Sequence, residues 1–260
     1  MPENGSRLKY LVTSGSEIAG AAIGGALGFL AAGPTLAAGA GVIGIGITKV
    51  LQDVSCRLLS IGETERIGAA AAVSLSQIRR RMDNRDALRG DDFFNRNQKR
   101  SNAEEVFEGA LLAAKNSHEE KKAIYLGNLF ANVCFDQTCS KEEANFQLNQ
   151  SQSLTYAQFC LLQIFNQQDD FFGLRVEKYG AGTQVSHGTI VYLQATKRLC
   201  DLGLSNMKTP GDEHHIFVMD INHIQPAHHE LSASGKRLRD LLGLEDIPVE
   251  DLYEAAKWLS

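Results

Sequence analysis

The sequence predicts a mainly α protein in three parts: an N-terminal Gly/Ala-rich hydrophobic helical hairpin, a helical bundle, and a C-terminal winged-helix-like α+β module. Three observations predict it. Residues 18 to 48 contain no charged side chain. Apolar residues beyond them recur at helical spacing behind capping signals. After residue 200 two short apolar stretches flank a Pro-Gly turn, which is a strand, turn, strand pattern. The implied boundaries are 1–55 for the hairpin, 56–150 for the bundle and 151–260 for the last module.

The uncharged run, IAGAAIGGALGFLAAGPTLAAGAGVIGIGIT, lies between Glu17 and Lys49 and is long enough to cross a bilayer. Gly20, Gly24 and Gly28 repeat at i, i+4, the small-xxx-small pattern of closely approaching helices. In water each interior glycine would cost about 1 kcal/mol relative to Ala, so the pattern implies tight helix pairing. Gly33 and Pro34 break the run at its centre and predict a hairpin. Each arm then reaches roughly 22 Å, short of the roughly 30 Å hydrocarbon core, so a two-pass hairpin would thin the bilayer or insert partly. A single kinked span, a Gly/Ala hairpin packed inside a soluble protein or oligomer, and a cleaved signal peptide are the other readings. The last fits least, because the run starts deep, follows Glu17 directly and is richer in glycine than an ordinary signal.

Next comes a basic stretch. Residues 56–100 hold 10 Lys and Arg against 6 Asp and Glu, whereas the whole chain carries a net charge of -5. Arg79, Arg80, Arg81, Arg85 and Arg89 form a candidate collar facing the negative cytoplasmic leaflet. Interspersed Asp83, Asp86, Asp91 and Asp92 allow a second reading, a solvated helix end laced with Arg-Asp pairs.

Ile67, Ala71, Leu75, Ile78 and Met82 place an amphipathic helix over 63–82, ending at Asp83-Asn84. Ser101 with Glu104, and Ser117 with Glu120, read as capping boxes that open helices near 102–115 and 118–135. The second, KKAIYLGNLFANVCF, is apolar nearly all round and should be the buried centre of the bundle. Its Asn128 and Asn132 need partners on a neighbouring helix or in the loop after Phe94. Thr155 with Gln158 opens the helix of LTYAQFCLLQIF, and another, near 188–202, carries Val191, Leu199 and Leu202 and stops at Gly203. LSNMKT and HHIFVMDI then read as strands about Pro210-Gly211, followed by helices in LSASGKRLRDLLGL and in PVEDLYEAAKWLS, where Pro248 suits a first turn.

Several functions lack support. There is no phosphate-binding glycine loop, zinc-protease motif or nucleophile elbow, so neither an enzyme nor a cofactor is expected. Residues 151–260 carry 9 basic against 14 acidic residues, with only Lys197 and Arg198 on the candidate recognition helix, and this opposes DNA binding. The five cysteines, odd in number and set in apolar patterns, suggest a reducing compartment and no metal site. Six of seven histidines fall between His187 and His229; a polar hairpin accounts for them, with a metal site or a pH-sensitive contact as alternatives. Asp91-Asp92 and Asp169-Asp170 each precede two phenylalanines; they read as caps, with Phe93-Phe94 and Phe171-Phe172 as anchors. An enzymatic reading would rest on those acid pairs and on His223 and His228.

The stretch from Glu119 to Phe165, a fifth of the chain, resembles bacterial helical proteins of the abortive-infection alpha type. The matching residues are Leu129-Phe130-Ala131-Asn132 at a helix end and Leu154-Thr155 at the next helix start. The resemblance implies a phage-defence setting in which infection leads to cell arrest or death, and it assigns no site residues. The sequence as a whole therefore predicts a membrane-associated, non-enzymatic effector at the cytoplasmic side of a bacterial inner membrane. It would self-associate and answer to a protein partner. The alternative is a soluble cytoplasmic interaction or regulatory protein.

Overall fold

The computed structural model describes residues 49–51, 53–54, 60–95, 100–167, 172–179, 184–208 and 220–260. Gly20, Gly24, Gly28, Gly33 and Pro34 lie outside them. The protein is mainly helical. It divides into two compact units that part between Ser153 and Leu154.

In the first unit, residues 49–51 and 53–54 are helical, with Val50, Leu51 and Val54 buried. Helix α1 spans Ile61–Asp83 behind a Ser60/Glu63 capping box. Of its expected stripe, Ile67, Ala71, Leu75 and Ile78 are buried and Met82 is half-buried. Helix α2, Asn102–Asn116, opens with the expected Ser101/Glu104 box. Helix α3, Lys122–Val133, begins later than its sequence implied, and its N-cap Lys121 makes no side-chain cap bond. Ser117 instead closes α2, its amide donating to the Ala113 and Ala114 carbonyls, and residues 118–121 turn before α3 starts. Helix α4 spans Lys141–Ser153.

Helix α3 is the buried centre, as its apolar circumference requires. It lies mainly against α1 and α2. The closest approach is backbone on backbone: a Cβ added at Gly127 would sit 2.5 Å from the Ala70 carbonyl oxygen. Ser74 seals the seam, its hydroxyl 2.8 Å from that oxygen and 2.9 Å from the Gly127 carbonyl. Phe107 and Phe130 pack beside it with centroids 4.7 Å apart.

The second unit is built around α5, Tyr156–Asn166, which opens with the Thr155/Gln158 box and buries Phe159, Leu161, Leu162 and Ile164. Helix α6, His187–Asp201, is capped by Ser186. Its inward face is Leu193, Thr196 and Leu199. Val191, placed on the apolar stripe by the sequence, is 47% exposed, and Leu202 is half-buried. Gly203 takes a positive φ of 68°, as its position after the helix requires. Strand β1, Ser205–Met207, pairs antiparallel with β2, His229–Leu231, in the register Ser205 to Leu231 and Met207 to His229. The turn at Pro210-Gly211 and residues 211–219 lie outside the described residues. Asp220 and Ile221, expected to end a strand, instead cap and begin a 3-10 turn, Ile221–His223, because the Asp220 carboxylate accepts from the Asn222 amide. Helix α7, Ala233–Leu242, is capped by Ser232 and ends on left-handed Gly243. Helix α8, Val249–Ala256, has Pro248 at its N-cap, one position before the expected first turn.

Candidate functional site

Among the described residues no helix is long and apolar enough to cross a membrane. The predicted insertion segment lies outside them, so the described part of the candidate site is the arginine collar.

The collar falls into two groups. Arg79, Arg80 and Arg85 are exposed, with Arg79 3.8 Å from Asp83 one turn on. Arg81 is drawn inward: its Nε donates to Asp86 at 2.9 Å, its Nη1 to the Asn132 side-chain oxygen of α3 at 3.2 Å, and its guanidinium lies 4.1 Å from the Phe135 ring centre. Arg85 stops α1. Its φ of 67° is left-handed, and the Arg85 and Asp86 amides return to the Met82 and Arg81 carbonyls, the geometry glycine normally supplies.

Arg89 is buried, with 3% of its side chain exposed, and faces no solvent or lipid. The basic run places it in a membrane-facing collar, but the carbonyls of Val133 and Cys139 hold it inside. Its Nε and Nη2 reach the Asp91 carboxylate, the shortest contact being 2.5 Å, and Nη1 donates to the carbonyls of Val133 and Cys139. The plane lies 4.2 Å from the Phe93 ring centre. A cation at the end of α3 adds a donor to the Val133 carbonyl, which also accepts from the Asp136 amide, and ties it to the Cys139 carbonyl in the loop beyond. Hydrogen bonds from Arg89 hold the Asp91 carboxyl below its usual range despite partial burial. Asp91 also accepts from the Phe93 amide and caps the 3-10 turn Asp92–Phe94, which buries Phe93 and half-buries Phe94. Three Arg-Asp pairs thus run through this segment, and its exposed positive charge is concentrated at Arg80 and Arg85.

Asp169, Asp170 and Phe171 are outside the described residues, as are His214 and His215. Phe172 is buried and meets Tyr253 edge to face at 5.3 Å. His187 and His223 are exposed, and His228 is half-buried. Among the described residues no three His, Cys, Asp or Glu side chains are grouped to hold a metal ion.

The second unit holds a cluster that no local pattern announced. Cys200, at the end of α6, has its Sγ 3.3 Å from the Ser205 Oγ and 3.8 Å from Nδ1 of His229. The tight turn at Gly203 brings Ser205 back beside Cys200, and strand pairing brings His229 across from 29 residues away. Burial pushes the Cys200 thiol up, partly offset by the Ser205 hydroxyl. A helix C-terminus adds negative potential, so the thiol stays protonated and is a poor nucleophile. Burial, with a smaller repulsion from His228, pushes His229 down to about 4. At neutral pH the pair is a neutral thiol against a neutral imidazole.

Buried Lys122 in the first unit has a structural explanation too. Its amine donates to the Gln152 carbonyl at 3.2 Å, near the end of α4, while burial lowers its pKa. Comparison with family models, curated proteins and solved structures finds no match to this chain.

Proposed function

We propose that this chain is a membrane-associated bacterial effector, and that its 18–48 segment acts by inserting into, or oligomerising at, the inner membrane from the cytoplasmic side. One observation carries the reading: 31 consecutive residues without a charge, with glycines at i, i+4 and a Gly-Pro break at the centre. Arg80 and Arg85, exposed at the end of α1, supply positive charge suited to an anionic leaflet. The helical units hold the segment inactive or sense a protein partner, and the second unit serves as a winged-helix-like contact module. The resemblance around Leu129 to Asn132 supplies the setting, phage defence by cell arrest, and the toxic event is loss of the bilayer barrier. The protein is not an enzyme and uses no cofactor.

A second reading is favoured by the seam between α1 and α3. There Gly127 meets Ala70 backbone to backbone, so this chain already uses Gly and Ala for close helix packing away from lipid. On that reading the 18–48 run is a packed dimer element of a soluble cytoplasmic interaction protein.

Fractionation separates the two. The full chain and a deletion of residues 18–48 are expressed in bacteria, and the membranes are washed with alkaline carbonate. Retention of the full chain alone is the expected result. A full chain wholly in the soluble fraction overturns insertion. Expression is also expected to collapse the membrane potential in a manner that depends on the same residues, and unchanged potential and viability in both strains would remove the effector reading.

A further inference from the structure

His229 sits at the start of β2, opposite Met207 of β1, and is 7% exposed. The Phe165 ring of α5 stacks on it at 5.1 Å. From the end of α6 the Cys200 sulfur approaches Nδ1, with the Ser205 hydroxyl of β1 against that sulfur. Three elements therefore close on one uncharged ring.

Among the described residues no carboxylate is paired with the ring. Nε2 is buried and makes no hydrogen bond. Several charged side chains on the surrounding elements are engaged elsewhere: Asp201 of α6 holds Lys197, Glu230 of β2 holds Lys208, and Arg239 of α7 binds Asp240, Glu245 and, from α5, Gln163. The adjacent His228 adds a smaller unfavourable effect on a charged His229 ring. An imidazolium can remain in such a site only with a carboxylate or water beside it.

We propose that His229 is an acid-operated latch on the β1–β2 pair: protonation of its ring parts the pair from α5 and exposes the half-buried Cys200 thiol further. The inference concerns the second unit alone and stands whether or not residues 18–48 enter a membrane. An opened state binds the proton at the ordinary value of 6.5, while the closed state resists it down to about 4. Between these values the ratio of open to closed rises about tenfold per pH unit, about 300-fold in total. The latch is shut at neutral pH and is driven toward opening as pH falls from 6.5 to about 4.

The test uses the full chain. Reaction of Cys200 with 4,4′-dithiodipyridine is followed from pH 7 to pH 4 and assigned by subtracting a Cys200→Ser variant. Dividing the wild-type rate by that of His229→Gln at each pH cancels the intrinsic chemistry of thiol and reagent. That ratio is expected to climb steeply below pH 6; a flat ratio overturns the proposal. If His229→Gln does not fold, wild-type NMR decides. The His229 ring should titrate well below 6.5, with exchange protection of the Ser205–Met207 amides lost over the same range. A ring that titrates near 6.5, or strands that stay protected while it titrates, would overturn the latch.

Discussion

Each unit buries one nitrogen-rich side chain against a phenylalanine, but the two treat its charge in opposite ways. Arg89 is set over Phe93 with Asp91 and two carbonyls around its guanidinium, so it keeps its charge indoors. His229 is stacked on Phe165 beside a thiol, with no carboxylate paired to it among the described residues, so it gives its charge up. A permanently charged group can be buried only where partners are built for it, whereas a group that titrates near neutrality can be buried by discarding a proton. The first solution makes a fixed joint, and the second makes one that acid can undo.

Breaking the fixed joint should have the largest effect. Arg89→Met takes a donor from the Asp91 carboxylate and from the Val133 and Cys139 carbonyls, and should cost the first unit about 3–5 kcal/mol, read as a shift in its urea midpoint. Arg89→Lys is expected to recover little, since one ammonium cannot span the carboxylate and both carbonyls.

The acid response is next and sharpens the comparison. His229 is neutral in both states above 6.5, so its contribution is fully present there. Below 6.5 the unfolded chain takes up a proton that the folded unit refuses until about 4. Stability of the second unit is therefore lost as pH falls across that window, by about 3 kcal/mol in all. Asp91 has the same sign but a lower window: its folded value is depressed, so the first unit keeps that contribution until pH falls below the ordinary carboxylate value of 3.8. Tyrosine fluorescence cannot separate the units, because both contain tyrosine, whereas Trp258 reports the second unit alone. An acid transition in Trp258 emission that precedes loss of the first unit's helix signal is the expected order. Coincident transitions would sink the comparison.

A smaller loss should follow at the α1–α3 seam. Gly127→Ala drives a methyl to 2.5 Å from the Ala70 oxygen, which is backbone and cannot swing aside. Separating the helices should cost about 1–3 kcal/mol, checked by thermal unfolding. Gly235, whose added Cβ would also strike backbone, at Leu204, is the matching site in the second unit.

These positions also mark what the sequence could and could not disclose. Helix starts at Ser101 and Thr155 were legible because a cap is local: hydroxyl, amide and returning side chain lie within four residues. Ser117 offered the same letters and was claimed by the helix before it, a competition that spacing alone does not resolve. The burial of Arg89 was not legible, since its acceptors at Val133 and Cys139 are 44 and 50 residues away and are main-chain atoms that carry no side-chain signature. The Cys200 and His229 contact was hidden for a related reason. It depends on which segment pairs with β1, and the sequence pointed to the nearer stretch after Pro210 while β1 pairs with residues 229–231.

The smallest expected effect has the opposite sign, and it separates the two roles assigned to the collar. Arg85 ends α1 in a left-handed conformation that costs an L-residue about 1 kcal/mol and costs glycine almost nothing. Arg85→Gly should therefore stabilise the first unit by up to about 1 kcal/mol in urea unfolding, provided the exposed side chain contributes little to folding. If Arg85 also belongs to a membrane-facing surface, the same substitution should weaken sedimentation of the full chain with vesicles containing phosphatidylglycerol. Loss of vesicle binding with a gain in stability would mean that arginine is kept at a position better suited to glycine for the sake of its charge. A gain in stability with unchanged binding would leave Arg85 as an ordinary helix stop, and among the described collar residues the unpaired positive charge would then rest on Arg80.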